Sequence, residues 1–407
     1  MYDLAAFGSW IEFAIRWLHV ITAIAWIGSS FYFIALDLGL HRDRNLASGA
    51  DGEEWQVHGG GFYHIQKYLV APDQMPGDLI WHKWQSYWTW ISGFILLVLV
   101  YYLGAEFYLI DPNVADLAVW QGVGISLASL AFGWLVYNQL CKWFVHADQT
   151  ILMVALFMVL VAMAWFYTQV FSGRAVLIHL GAFTATIMSA NVFMIIIPNQ
   201  KIVVADLIAG RKPDAIYGKI AKQRSTHNNY LTLPVIFLML SNHYPLSFAS
   251  EWNWVIASLV FLMGVTIRHF FNAMHARKGM LWWTWAVTAM LFVAIVGLST
   301  APLRDAAAPD HADSAQTRFA SAAGFDDVSQ IVMGRCSMCH AAEPVWPGLH
   351  WAPKGIALET PQQVAHHARA VHLQAGLSHA MPPANLSWMQ EDERAAIRAW
   401  YAAATGG

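Results

Sequence analysis

Between positions 11 and 300 the chain repeats one feature eight times: a mostly apolar stretch near the roughly 20 residues that a helix needs to cross a bilayer. The stretches lie at about 11–36, 84–104, 117–137, 150–171, 175–198, 228–243, 252–272 and 281–300. The sixth carries Pro234, which spanning helices tolerate. The first is too long for a signal peptide and has no cleavage site behind it, so it is expected to stay in the membrane. Composition agrees. Of 407 residues, 57% are hydrophobic and 12% charged, against about 25% charged in an ordinary soluble domain. So few charges cannot cover a globular surface, which excludes a wholly water-soluble protein.

The charge is also unevenly placed. Residues 1–300 hold 16 Lys/Arg and 16 Asp/Glu, whereas 301–407 hold 7 and 10. The expected organisation is a membrane domain over 1–300, a flexible linker over 301–324 rich in Ala, Asp and Pro, and a small water-soluble domain over 325–405. No basic block marks a nucleic-acid partner. The loops after spans one, three, five and seven carry thirteen Lys/Arg, Arg224 among them, and the loops after two, four and six carry only Arg174. By the positive-inside rule the odd loops face the cytoplasm, and both chain ends face outward. Loop one, 37–83, contains strand-like alternation over 62–70 and a turn-like Pro72–Gly77 run, which together predict a hairpin beneath the helices. The first four spans faintly echo the last four. Setting His19 over His179 aligns Ala25 with Ala185, Ile27 with Ile187, Ser29 with Ser189 and Phe33 with Phe193, as a four-plus-four repeat would.

The sharpest chemical motif is Cys336-Ser337-Met338-Cys339-His340, the C-x-x-C-H pattern of covalent haem attachment. Its thiols add to the haem vinyl groups and its histidine ligates the iron. A zinc site would need further ligands at suitable spacing, and the third cysteine, Cys141, lies in the membrane domain. The sixth iron ligand is expected to be Met381, in the rigid His379-Ala380-Met381-Pro382-Pro383 run, ahead of Met389 and Met338. A thioether opposite histidine suits an electron carrier. The stretch 325–405 resembles a class I cytochrome c domain, which receives haem outside the cytoplasm. Ionisable residues inside spans are costly and point to function. His19 lies roughly 12 Å inside span one, and His179 matches it in the repeat. The pair is therefore the expected bis-histidine ligand set of a b-type haem. His82 and His227 would form an inner equivalent.

Together these features resemble the bacterial membrane-bound urate oxidases (urate hydroxylases), in which eight spans are fused to a C-terminal cytochrome c. The resemblance covers nearly the whole chain. It rests on Arg16-Trp17-Leu18-His19-Val20 with Trp26-Ile27-Gly28, on Gly60-Gly61-Phe62-Tyr63, on Ala190-Asn191-Val192-Phe193 through Ile197-Pro198-Asn199-Gln200, and on the two cytochrome motifs. The opening helix is also similar to membrane protoporphyrinogen oxidases thought to hold haem b. What the resemblance implies is an all-α, polytopic protein of the bacterial inner membrane. It would oxidise urate to 5-hydroxyisourate and pass electrons through haem c to the respiratory chain. The other reading of the same motifs is a non-enzymatic, quinol-linked electron conduit. A planar urate anion needs a guanidinium or backbone donors and a base. Arg16, Arg268 and His269 are the candidates that the sequence offers.

Overall fold

The structure, a computed structural model, describes residues 4–68, 76–111, 114–144, 149–248, 250, 252–305, 316–346, 352–353, 356–377 and 380–405. Residues 72–75 of the expected turn, 306–315 of the expected linker, and His379 lie outside them. The chain divides into two compact units, Met1–Ser299 and Thr300–Gly407.

The first unit is mostly helical. Its helices are α1 (Leu4–Gly39), α2 (Trp84–Leu96), α3 (Ala105–Tyr108), α4 (Val119–Trp143), α5 (Gln149–Thr168), α6 (Gly173–Ala190), α7 (Ile197–Ile208), α8 (Ala215–Leu240), α9 (Pro245–Phe248), α10 (Asn253–His275) and α11 (Trp283–Asp305). π-Helical turns extend α2 over Leu97–Tyr102 and join α6 to α7 over Asn191–Ile196. Every apolar stretch of the sequence falls on helix. Among the described residues, five spans are by themselves long and apolar enough to cross a membrane: Trp10–Gly39, Val119–Trp143, Gln149–Thr168, Gly173–Ile208 and Asn253–His275. The unit is thus a multi-pass membrane protein. The other three stretches are weaker for visible reasons: α2 breaks into π turns, the apolar part of α11 is short, and α8 carries a run of polar side chains.

α6 is the centre of the unit. It packs against α2, α4, α5, α8 and α10, and Leu177, His179, Leu180, Phe183, Thr184 and Ile187 are wholly buried. Two glycines set the close approaches around it. A Cβ on Gly133 of α4 would lie 2.4 Å from the Phe183 ring, and one on Gly264 of α10 would lie 2.5 Å from the Pro234 ring of α8. α8 begins well before the expected boundary at 228. Asp214 caps it by accepting from the Ile216 N–H at 2.9 Å. Arg224 is therefore a helix residue only 3% exposed, not a loop charge; the thirteen-to-one imbalance becomes twelve to one.

The hairpin of loop one is β1 (Ala50–His58) paired antiparallel with β2 (Gly61–Tyr68). Its turn is Gly59-Gly60, ahead of the second strand rather than after it. Both glycines hold positive φ (59° and 81°), which a tight two-residue hairpin turn demands. Asp37 at the end of α1 pairs with Lys67 of β2 and with Lys222 of α8 (3.0 Å), tying the hairpin to the helices.

The second unit is a small helical body around Phe325, Val328, Val332, Ile397 and Trp400. Helix Phe325–Cys336 packs on the terminal helix Glu391–Thr405. Arg335 clamps Glu393 with Nε (3.0 Å) and Nη2 (2.9 Å). The Trp400 indole donates to the Phe319 carbonyl at 2.9 Å.

Candidate functional site

In the second unit Cys336 ends its helix, and the N–H groups of Cys339 and His340 both donate to its carbonyl (3.2 and 2.9 Å). His340 Nδ1 donates to the Ile356 carbonyl at 2.9 Å, which fixes the ring and leaves Nε2 without a partner among the described residues. Burial pushes the Cys336 thiol up to about 11 and also raises Cys339. That is the wrong direction for a thiolate redox pair. Met381 and Cys336 pack against the same apolar core. The Met381 backbone is held at both ends: its N–H donates to Gln374 O (2.8 Å), and its carbonyl accepts from the buried Arg394 (2.9 Å). Met389 is 3% exposed and belongs to the core itself. Two thiols, one free imidazole nitrogen and a braced thioether are a donor set that fits haem c.

The expected haem b pair does not fit. His19 lies in the α1–α2 interface, its Nδ1 donating to Thr89 O (2.9 Å) and its ring against Gly93. His179 is wholly buried, its Nδ1 donating to Ala175 O (2.9 Å) and its ring enclosed by Tyr101, Tyr167 and Phe171. Tyr101 lies two turns beyond Gly93 on the α2 segment. On α6, Thr186 meets Trp90 at 3.1 Å and sits two turns inward of His179. Both paths offset the imidazoles by about 10 Å along the bundle, whereas two ligands on one iron, each at about 2 Å, sit about 4 Å apart. Alignment in the repeat does not become a shared site. His82 and His227 are also apart. His82 is exposed against Phe33 (4.8 Å), and His227 is buried against Tyr137 of α4.

The guanidinium candidates separate as well. Arg16 is half-exposed and pairs with Glu12, one turn away. Arg268 is buried, with Nε and Nη2 on Asn229 Oδ1 (3.3 and 3.2 Å), Nη2 on Asn272 (3.1 Å) and Phe31 covering its face at 4.1 Å. His269 Nδ1 meets Tyr230 Oη at 3.3 Å. A second buried guanidinium, Arg224, sits in a polar cluster between α4, α8 and the π turns. Its Nη1 donates to Asn191 Oδ1 (3.2 Å) and its Nη2 to Asn138 Oδ1 (2.8 Å). Asn191 Nδ2 donates to Tyr137 Oη (3.0 Å) and to Asn228 Oδ1 (2.9 Å), Asn228 Nδ2 donates to Met188 O (2.9 Å), and Tyr137 Oη lies 2.8 Å from His227 Nδ1.

The family described as Urate oxidase N-terminal matches residues 5–299. The chain belongs to that family. Comparison with curated proteins and with solved structures returns no match. The match covers the membrane unit, so the Arg224 and Arg268 clusters both fall within the urate oxidase N-terminal region.

Sequence reasoning singled out His227 but missed Arg224 and the asparagines that surround it. The available signal was the spacing Arg224, His227, Asn228, which falls at i, i+3 and i+4 on one helical face. The same polar residues lowered the hydropathy enough to make that stretch look like loop.

Proposed function

We propose that the protein is a membrane-bound urate hydroxylase that converts urate to 5-hydroxyisourate and delivers the electrons to a covalently attached haem c. The observation that carries this reading is a urate oxidase N-terminal region joined, in one chain, to a C-x-x-C-H motif whose histidine keeps Nε2 free. Urate and one water give 5-hydroxyisourate, two protons and two electrons, so the oxygen comes from water and no peroxide need form. Cys336 and Cys339 would hold the haem by thioether bonds, and His340 Nε2 and Met381 Sδ would ligate its iron. When bound, the group accepts electrons one at a time, at a potential that the thioether raises. Arg394 and the Gln374 carbonyl position the Met381 loop, and the Ile356 carbonyl fixes the His340 tautomer.

The proposed topology has eight spans with the odd loops in the cytoplasm of a bacterial cell. Helix over every apolar stretch and the loop-charge imbalance support it. The second unit then faces outward, towards a respiratory-chain acceptor. His19 and His179 have no part as joint ligands of a second haem. Purified protein supplied with urate and an oxidised external cytochrome c is expected to form 5-hydroxyisourate with two electrons accepted per urate and no peroxide. Inert urate combined with quinol-driven reduction would overturn the reading in favour of an electron conduit.

A further inference from the structure

The Arg224 cluster has an unusual chemical polarity. Both ends of its hydrogen-bond chain are fixed: a guanidinium only donates, and the Met188 carbonyl only accepts. Asn228 must therefore turn its amide nitrogen to Met188 and its oxygen to Asn191. Asn191 must turn its oxygen to Arg224 and its nitrogen to Asn228 and Tyr137. Tyr137 Oη accepts from Asn191, and its own proton has two acceptors within reach, His227 Nδ1 at 2.8 Å and the Cys141 sulfur; the imidazole nitrogen is the stronger acceptor and takes it. That makes Nδ1 the acceptor nitrogen and leaves the hydrogen of a neutral imidazole on Nε2.

Among the described residues, two buried polar atoms in this cluster have no partner: Arg224 Nε and His227 Nε2. By the reasoning above both are N–H donors, and they sit one turn apart on the same face of α8. The guanidinium is also unbalanced. Among the described residues no carboxylate lies within ion-pair distance of Arg224, whose partners are two neutral amides and the rings of Trp134 and Tyr137. A buried charge without a counter-charge is expensive inside a membrane protein. Arg268 also has only neutral amide partners among the described residues, but its Nε is satisfied by Asn229 and Phe31 covers its face, so it leaves no guanidinium N–H open as Arg224 does. The Asn191 end of the cluster begins a π-helical segment, an interruption frequently found at functional sites.

What such a place lacks is one negative charge and two acceptors. The geometry points to Arg224 and His227 as the binding site of the urate anion, which presents its acceptor edge to Arg224 Nε–H and His227 Nε2–H. Urate is a planar monoanion near neutral pH, rich in carbonyl oxygens and ring nitrogens. The assignment rests on the functional reading above and adds to it the place where the substrate binds.

The test uses a substitution that leaves both donors in place. Asn138→Asp sets a carboxylate where an amide oxygen now lies 2.8 Å from Arg224 Nη2, supplying the missing counter-charge from within. Anaerobic calorimetric titration of the full-length protein with urate, alongside the KM of urate oxidation, is expected to show urate weakened about 10- to 100-fold, with normal yield. Arg224→Gln is expected to weaken urate by a similar factor. Binding within twofold of wild type in Asn138→Asp overturns the site whatever Arg224→Gln does, and it does so even if Arg224→Gln fails to fold. If that happens while wild type oxidises urate normally, the functional reading stands and only the site falls. A wild type that neither binds nor oxidises urate overturns both.

Discussion

Arg394 is wholly enclosed in the second unit, yet among the described residues every hydrogen bond its side chain makes goes to the segment that carries Met381. It donates to Ala375 O (2.6 Å), Met381 O (2.9 Å) and Asn385 Oδ1 (3.4 Å). The thioether is thus held by its backbone, and Met381→Ala should remove a ligand without disturbing that frame. The variant is expected to keep its covalent haem and show a lower reduction potential in a redox titration. Cys336→Ala or Cys339→Ala should instead lose stable covalent attachment, read as haem stain on a denaturing gel. Glu393 makes a prediction about pH. Partial burial raises its carboxyl, but hydrogen bonds from Arg335 and the Gln390 N–H, with the charges of Arg335 and Arg394, outweigh this and hold it below its ordinary 4.5. A carboxyl lowered by folding contributes stability above its unfolded value and loses it as pH falls through the folded one. Glu393→Gln should therefore destabilise the unit by about 1 kcal/mol at pH 7. The gap from wild type should close as pH falls below about 4. Denaturation followed by haem absorbance would measure both. The C-x-x-C-H motif, here proposed to attach haem, is legible in the sequence because such chemistry needs fixed neighbours. The Arg224 cluster is not, because its four contributing segments meet only after folding.

At the scale of elements, the helices were the readable part, since apolar length alone forces them. Boundaries failed where polar residues are buried. Residues 215–227 read as loop although Asp214 caps a helix there. A hairpin is legible in the sequence but its turn is not: Pro72 and Pro76 are the conspicuous turn residues, whereas the chain reverses at Gly59-Gly60. The contact of α8 with α10 gives a direct test of packing. Gly264→Ala drives a methyl into the rigid Pro234 ring, while a Cβ on Gly124 or Gly297 meets nothing within 4 Å. Overpacking costs about 1–3 kcal/mol, so Gly264→Ala should lower the melting temperature in detergent, and Gly124→Ala and Gly297→Ala should not.

For the whole molecule, the proposed orientation rests on charge in the connecting loops. Its imbalance survives the transfer of Arg224 from loop to helix interior. The proposed topology expects a reporter fused after Gly407 to work only outside the cytoplasm. The offset of His19 from His179 shows where whole-chain reasoning from a weak repeat ends. Equivalent positions in an alignment share depth only if the two halves pack alike, and here one histidine faces a helix interface and the other an aromatic cage.

The central claim is that electrons taken from urate arrive at haem c. Anaerobic titration of the oxidised full-length protein with urate, followed by the haem c absorption bands, tests it most directly. The account predicts that each urate reduces two haems and appears as 5-hydroxyisourate. Haem that stays oxidised while urate is consumed only when oxygen is admitted would contradict it.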